Sequence, residues 1–366
     1  MARDPTIAYV LLRRANFGPQ LASSVELCVR DLVRHSRYAG STLVVCPKVM
    51  RPFEGIEIET VPDLAVGGNL AKAWSVGRLL RRRRVDLAIV ENHLPAAAFI
   101  ASASGVPVIL HSHAYVKGPS GPLARAVRGV ELRRLSGLAF VSNACADRFR
   151  ANFPGVRAPI GRVPNGLDMA DWSHQTPKDS VILCVGRALK GKGHLEAMGA
   201  IARALPSRPE WKARFILSDA AAADREPETL QALREAVGPF GGRVRVESNL
   251  PHAEVEAAWE RAAVGIVLTM APEPFGRTAL EALASGAALI TSGLGGLAEV
   301  CGPDALIVDP ADAEAVSSGL ALLMDRPALR AKLAASARAR VERLYDIRAV
   351  ARRMDDFIDE ARARRG

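Results

Sequence analysis

A chain of 366 residues, 49% of them apolar, is long enough for two domains with substantial cores. At 5% its aromatic content is too low for the stacking platforms that hold single-stranded nucleic acid, so no nucleic-acid partner is expected. The net charge of +10 is unevenly placed, 23 Lys/Arg against 11 Asp/Glu in residues 1–166 and 26 against 28 beyond, which suggests a basic first domain facing an anionic partner.

The first predicted strand is Thr6 to Leu12, too short for a signal-peptide core or a membrane span. A loop with Gly18 follows, then a helical period from Leu21 to His35. A glycine between first strand and first helix is where phosphate loops sit, although Gly18 alone is a weak signal. Leu43 to Cys46 and Ile56 to Val61 read as strands, Asn69 to Arg84 as a helix ending in four arginines, Asp86 to Glu91 as a strand and Pro95 to Ser104 as a helix. The strand from Val106 runs into His111-Ser112-His113, on the rim where α/β domains work, although a histidine that is merely hydrogen-bonded there is the more common case. If that strand continues, the two histidines are expected on opposite faces, and as a metal pair they lack a third ligand, so zinc is discounted.

Pro122 to Leu135 is a basic amphipathic helix with Arg125, Arg128, Arg133 and Arg134; a solvated face is its default reading and a membrane surface the second. Arg162 to Asp168 is a strand end and turn, and the charge balance changes there. Residues 1–168 are therefore assigned to an N-terminal domain, 169–346 to a second and 347–366 to a C-terminal helix that packs back on the first. The five cysteines are scattered, with no C-x-x-C, which fits a reducing compartment and excludes a disulfide framework or a cysteine zinc site.

The α/β pattern restarts at Val181 to Val185. Gly186 to Gly193 is a near miss for a P-loop, with glycine where the magnesium-binding hydroxyl belongs; Arg187 and Lys192 make an alternative, metal-free clamp on a diphosphate. Phe215 to Asp219 would serve as the companion acidic strand of a P-loop. The densest stretch is Ala271 to Leu294. There Glu273 precedes a helix that Thr278 is expected to cap and Gly286 to end, and Ala287 to Ile290 is the next buried strand. Glu273 and Glu281 flank a helix N-terminus, a layout suited to the sugar, diphosphate and ribose of a sugar nucleotide. Thr278 and Glu281 also fit a capping box. Helices are expected over Ala311 to Arg326, Pro327 to Leu344 and Ile347 to Arg365.

Together these segments resemble the family 4 retaining glycosyltransferases. Val163-Pro164-Asn165-Gly166-Leu167-Asp168 is similar to the family's "PNGID" segment, Gly186-Arg187 with Lys192-Gly193 to its "GR…KG", Glu273 to Glu281 to its E-x7-E motif, Gly295-Gly296 with Glu299 to "GG..E", and Pro107 to His113 to "PVV.T.H". The resemblance implies a GT-B fold, two Rossmann-like α/β domains with parallel sheets facing across a deep cleft. It implies that Arg187 and Lys192 bind the donor diphosphate, that Glu273 holds sugar hydroxyls, that Phe275 and Gly276 offer backbone amides, that Glu281 holds the ribose, and that His113 lies near the reacting sugar. Catalysis would fall to His113, Arg187, Lys192 and Glu273. Donor binding would add Gly18, Asn165, Gly186, Pro274, Phe275, Gly276, Arg277, Thr278 and Glu281, with no metal or other cofactor.

Departures from the pattern are Pro274, which removes a backbone donor, and Ser218-Asp219 and Glu247-Ser248-Asn249, which alter segments that flank the base. The implied partners are a UDP-, GDP- or ADP-sugar donor and an anionic glycan or lipid-linked acceptor, in a cytoplasmic enzyme at the inner face of the membrane. A GT-B epimerase and an anion- or membrane-binding module are the other classes.

Overall fold

The computed structural model describes residues 4–12, 17–19, 22–47, 49–62, 68–173, 176–218 and 227–364. The chain divides into two compact units, Met1–Gly166 together with Ile347–Gly366, and Leu167–Asp346.

The first unit is built on seven parallel strands: β1 (Ile7–Val10), β2 (Thr42–Cys46), β3 (Glu57–Thr60), β4 (Leu87–Glu91), β5 (Val108–Ser112), β6 (Gly137–Phe140) and β7 (Ile160–Arg162). Their order across the sheet is β3-β2-β1-β4-β5-β6-β7. The inner strands are continuous apolar runs such as IAYV of β1 and LAIV of β4, before Glu91, because a parallel sheet is covered on both faces. Helices α1 (Ser24–His35), α2 (Gly68–Arg82), α3 (Leu94–Ser104), α4 (Pro122–Arg133) and α5 (Asn143–Asn152) make the crossovers.

The second unit carries β8 (Asp179–Arg187), β9 (Lys212–Ser218), β10 (Val244–Ser248), β11 (Ala262–Val267), β12 (Ala288–Thr291) and β13 (Leu306–Ile307), in the order β10-β9-β8-β11-β12-β13 and again parallel. Its helices are α6 (His194–Ala204), α7 (Glu228–Ala236), α8 (His252–Arg261), α9 (Arg277–Ala284), α10 (Gly296–Cys301), α11 (Ala313–Asp325) and α12 (Pro327–Tyr345). The doubly wound α/β class expected from the sequence is present twice. In each sheet the order reverses beside the unit's first strand, between β1 and β4 and between β8 and β11; ligands of such sheets bind at the carboxyl ends near that reversal.

The last helix, α13 (Ile347–Ala363), belongs to the first unit. Val350, Met354, Phe357, Ile358 and Ala361 join the core formed by Ile7, Tyr9, Val44 and Ile89. Phe357 fits because Gly137 and Gly161 face it: a Cβ at either would lie 2.9 Å from its ring. The buried Asp355 accepts hydrogen bonds from Ser36 Oγ at 2.6 Å and from the Arg37 amide at 2.9 Å. With this helix included, the first unit holds 29 Lys/Arg against 15 Asp/Glu and the second 20 against 24, so the charge asymmetry is sharper by structure than by halves of the sequence.

Candidate active site

In the second unit three loops meet at the carboxyl end of the sheet. The first leaves β8 at Gly186-Arg187 and enters α6 through Gly193; the second runs from β11 to Gly276, before α9; the third joins β12 to Gly295, before α10. Backbone hydrogen bonds tie them together: Met270 N to Gly191 O (2.9 Å), Glu273 N to Leu294 O (3.2 Å) and Gly296 N to Glu273 O (2.6 Å). The Thr269 amide also donates to Ser292 Oγ at 3.1 Å. The rim is thus fixed by main chain rather than by long side chains.

On this rim Lys192 Nζ donates to Glu273 Oε2 in a close ion pair, each side chain about a fifth exposed (23% and 22%). Arg187 is exposed at the end of β8. Its carbonyl accepts a 3.0 Å bond from His194 Nε2, the first residue of α6. Burial, aided by the Lys192 charge and opposed by that bond, pushes His194 down to about 4, so it is a neutral donor holding Arg187 in place. His194 was not singled out from sequence, where it reads only as a helix start.

Helix α9 begins at Arg277, and its cap is Gly276, not Thr278. Gly276 has φ +99, and a Cβ there would come within 2.3 Å of Leu297. No side chain caps this helix, so the capping-box reading of Thr278 with Glu281 is overturned. Glu281 instead accepts from Arg277 Nε at 3.0 Å, both side chains being 7% exposed. A helix whose cap is a glycine takes no hydrogen bond from its cap side chain, an N-terminus that suits an external anion. Phe275 is buried edge-on against Tyr345, ring centroids 5.8 Å apart. It anchors the loop from below, with Pro274 beside it.

The first unit has its own cluster, at the carboxyl ends of β4 and β5. His111 and His113 share one face, against the expectation that they point apart: residues two apart on a strand lie on the same side. Their ring centroids are 4.3 Å apart, and both rings meet Glu91. His111 Nδ1 is 3.2 Å and His113 Nε2 2.9 Å from Glu91 Oε2. Glu91 is therefore the third ligand atom that the histidine pair was thought to lack; the three donors lie within 4.8 Å of one another and have the composition of a divalent-cation site.

Burial opposes the ionisation of Glu91, but the two histidines override it and hold its carboxyl down at about 2. His113 is lowered by burial and then by His111. Asn165 is buried against His113, and its Oδ1 has no hydrogen-bond partner among the described residues. Gly18 lies against Arg51, whose carbonyl a Cβ would meet at 1.9 Å. Residues 13–16, 20–21 and Asp219 lie outside the described residues.

So Gly186, Arg187, Lys192, Glu273, Pro274, Phe275, Gly276, Arg277, Thr278 and Glu281 occupy one rim, and His113 and Asn165 adjoin each other on another. Comparison with known proteins then adds two family matches, Glycosyl transferases group 1 over residues 170–340 and Glycosyltransferase Family 4 over 25–171. D-inositol 3-phosphate glycosyltransferase 1 of Catenulispora acidiphila is 28% identical across 87% of this chain and 79% of that protein. Glycogen synthase of Mycobacterium tuberculosis is 30% identical across 74% and 68%. The crystal structure of Anabaena HepE in complex with UDP and glucose matches with a TM-score of 0.78 at 18% identity, covering 97% of this chain and 100% of that one.

Proposed function

This chain belongs to the group 1 glycosyl transferases and is a GT-B enzyme of family 4, and on that premise we propose that it transfers a sugar, with retention, from a nucleoside diphosphate to an anionic glycan or lipid-linked acceptor. The observation that supports this best is the rim of the second unit. Two cations, a carboxylate and an uncapped helix N-terminus stand together there at a strand-order reversal. The diphosphate takes Lys192 from Glu273 and adds Arg187, and Glu273 is freed to accept sugar hydroxyls. As the anomeric C–O bond breaks, its electron pair goes to the leaving phosphate, whose charge these cations and the α9 amides receive. The acceptor oxygen attacks from the leaving-group side and its proton passes to the departing phosphate. No metal is required in this scheme.

The acceptor side follows from charge. The first unit holds the excess of basic residues, and the donor is held by a unit with more acids than bases. A relative in the same family is named for D-inositol 3-phosphate, a phosphorylated polyol. On α4, Leu123, Val127 and Val130 are 78%, 49% and 41% exposed, beside Arg125 and Arg133. An outward apolar stripe with flanking arginines suits the surface of an anionic bilayer. No described helix is long and apolar enough to cross one. The reading is a peripheral enzyme at the cytoplasmic membrane face, serving lipopolysaccharide, exopolysaccharide or glycolipid synthesis.

Incubation with UDP-, GDP- and ADP-sugars, with and without EDTA, tests the donor and the metal together. One donor should be consumed, with product of unchanged anomeric configuration, and EDTA should leave the rate intact. Inversion or metal dependence would refute the corresponding part. Sedimentation with anionic vesicles, lost at high salt and on Arg125→Gln with Arg133→Gln, tests the membrane.

A further inference from the structure

We propose that Tyr345 is a positioning residue for the donor rim, and that it couples the placement of that rim to the two chain links between the units. This rests on the reading that the rim of the second unit binds the diphosphate of the donor.

The chain passes between the units twice, at Gly166–Leu167 and at Asp346–Ile347. On the second unit's side the two links begin together. Leu167 pairs with Asp346 in a parallel bridge, and the Leu167 amide donates to the Tyr345 carbonyl at 3.0 Å. The main chain of Tyr345 therefore holds one link and leads directly into the other. Its side chain is wholly buried and serves the rim. The ring stands edge-on to Phe275, at an interplanar angle of 77°, and the hydroxyl donates to the carbonyl of Glu299 at 2.9 Å. Phe275 lies in the loop before α9 and Glu299 in α10, so one side chain touches both of the segments that meet at Glu273.

Those segments cannot shift independently. Glu273 and Gly295 form a backbone bridge, and a Cβ at Gly296 would meet Pro274 O at 2.3 Å and Phe275 Cα at 2.7 Å. When a diphosphate takes Lys192 away from Glu273, the freed carboxylate and the loop that carries it rearrange together with their neighbour. Interiors are close-packed, so a displacement of Phe275 and Glu299 passes to the side chain set against both. That side chain is a stiff ring, bonded at its far end to Glu299 and joined at its near end to the paired links. It hands the shift to Leu167 and Asp346. The coupling is reciprocal: the arrangement of the links that bound donor favours is also the one that binds donor more tightly.

Amide-resolved hydrogen exchange on the full-length enzyme tests this, with UDP, GDP and ADP offered in turn and calorimetry selecting the one that binds. That nucleotide should slow exchange at the Leu167 amide by about fivefold or more, the lower end of the range for linked sites. The Leu205 amide, bonded to Ile201 at the far end of α6, is the control, because stabilisation of the whole unit slows both alike. Tyr345→Leu removes the aromatic edge and the hydroxyl together. Its affinity for the nucleotide should fall by about fivefold or more, and Leu167 should then slow no more than Leu205. Tyr345→Phe keeps the ring, and the Glu299 carbonyl still accepts from Arg340 Nη2 at 2.8 Å. It should keep the exchange response and lose less affinity than Tyr345→Leu.

A Leu167 amide in the wild-type enzyme that slows no more than Leu205 would overturn the proposal. That measurement needs no variant, so it decides the question even where Tyr345→Leu fails to fold. Tyr345→Leu with a lowered melting temperature but full affinity, or with the Leu167 response intact, would overturn it as well. If none of the three nucleotides binds, or Lys192→Met binds the nucleotide as tightly as the wild type, the donor reading of the rim falls first and the proposal with it.

Discussion

Arg277 and Glu281 face each other one turn apart on α9, almost wholly buried. Glu281→Ala would leave the guanidinium without that partner, an effect of about 3–5 kcal/mol. If Glu281 also holds the ribose, donor affinity falls with it, and Glu281→Gln retains more of both. Calorimetry with and without donor separates the two roles; a lowered melting temperature with intact affinity would leave only packing. His194 gives a pH dependence of definite sign. Its folded pKa, about 4, lies below the ordinary 6.5, so the unfolded chain binds the extra proton between those values. Stability from this group is complete above pH 6.5 and is lost as pH falls toward 4, by at most about 3 kcal/mol. His194→Gln should flatten that limb of the Tm–pH curve. At this scale the sequence was only partly legible. Arg187, Lys192, Glu273 and Glu281 stood out through the family resemblance, with spacing alone leaving a capping box or a solvated acid equally open, but Glu91 stands 20 residues before His111 and meets it only through strand register.

Elements were easier to read than their ends. The α9 helix was expected, yet its start was misplaced, because Thr278 looks like a cap and the contact that demands Gly276 comes from Leu297 in another loop. Gly276→Ala should therefore cost at least about 1–3 kcal/mol, the usual scale for side chains forced into such backbone, and weaken donor binding beyond what the Tm shift explains. A titration with the consumed nucleotide checks this, and full affinity would detach the helix entry from the donor. Helix α7 and strand β13 were not anticipated; the one follows a stretch without clear period and the other is two residues long. Helix α12 supports the rim from behind. Arg340 reaches the carbonyls of Glu299 and Val300 near the end of α10, and Arg338 that of Ala284, the last residue of α9. Cations on the tails of both helices satisfy carbonyls that would otherwise be unpaired.

For the whole molecule, two parallel sheets were predictable because each buried strand is a short apolar run and each turn a glycine or polar break. What periodicity does not report is the partner of a terminal helix. Phe357 lies between two glycines of β6 and β7, so Phe357→Ala should open a cavity worth about 3–5 kcal/mol in the first unit alone. Differential scanning with donor present should show the first unit melting earlier and the donor-stabilised unit unmoved; a uniform shift would mean that the units unfold as one.

The first unit is assembled from both ends of the described chain, with 180 residues of the second unit inserted between. On the ribosome the second unit is complete before the first, whose open sheet face must wait for Ile347–Ala363 to be synthesised. A message cut short before that helix would deliver an intact second unit joined to an exposed apolar surface that includes Ile7, Tyr9, Val44 and Ile89. Such a product is a ready client for chaperones and proteases. Full-length synthesis is thereby proofread by the fold itself.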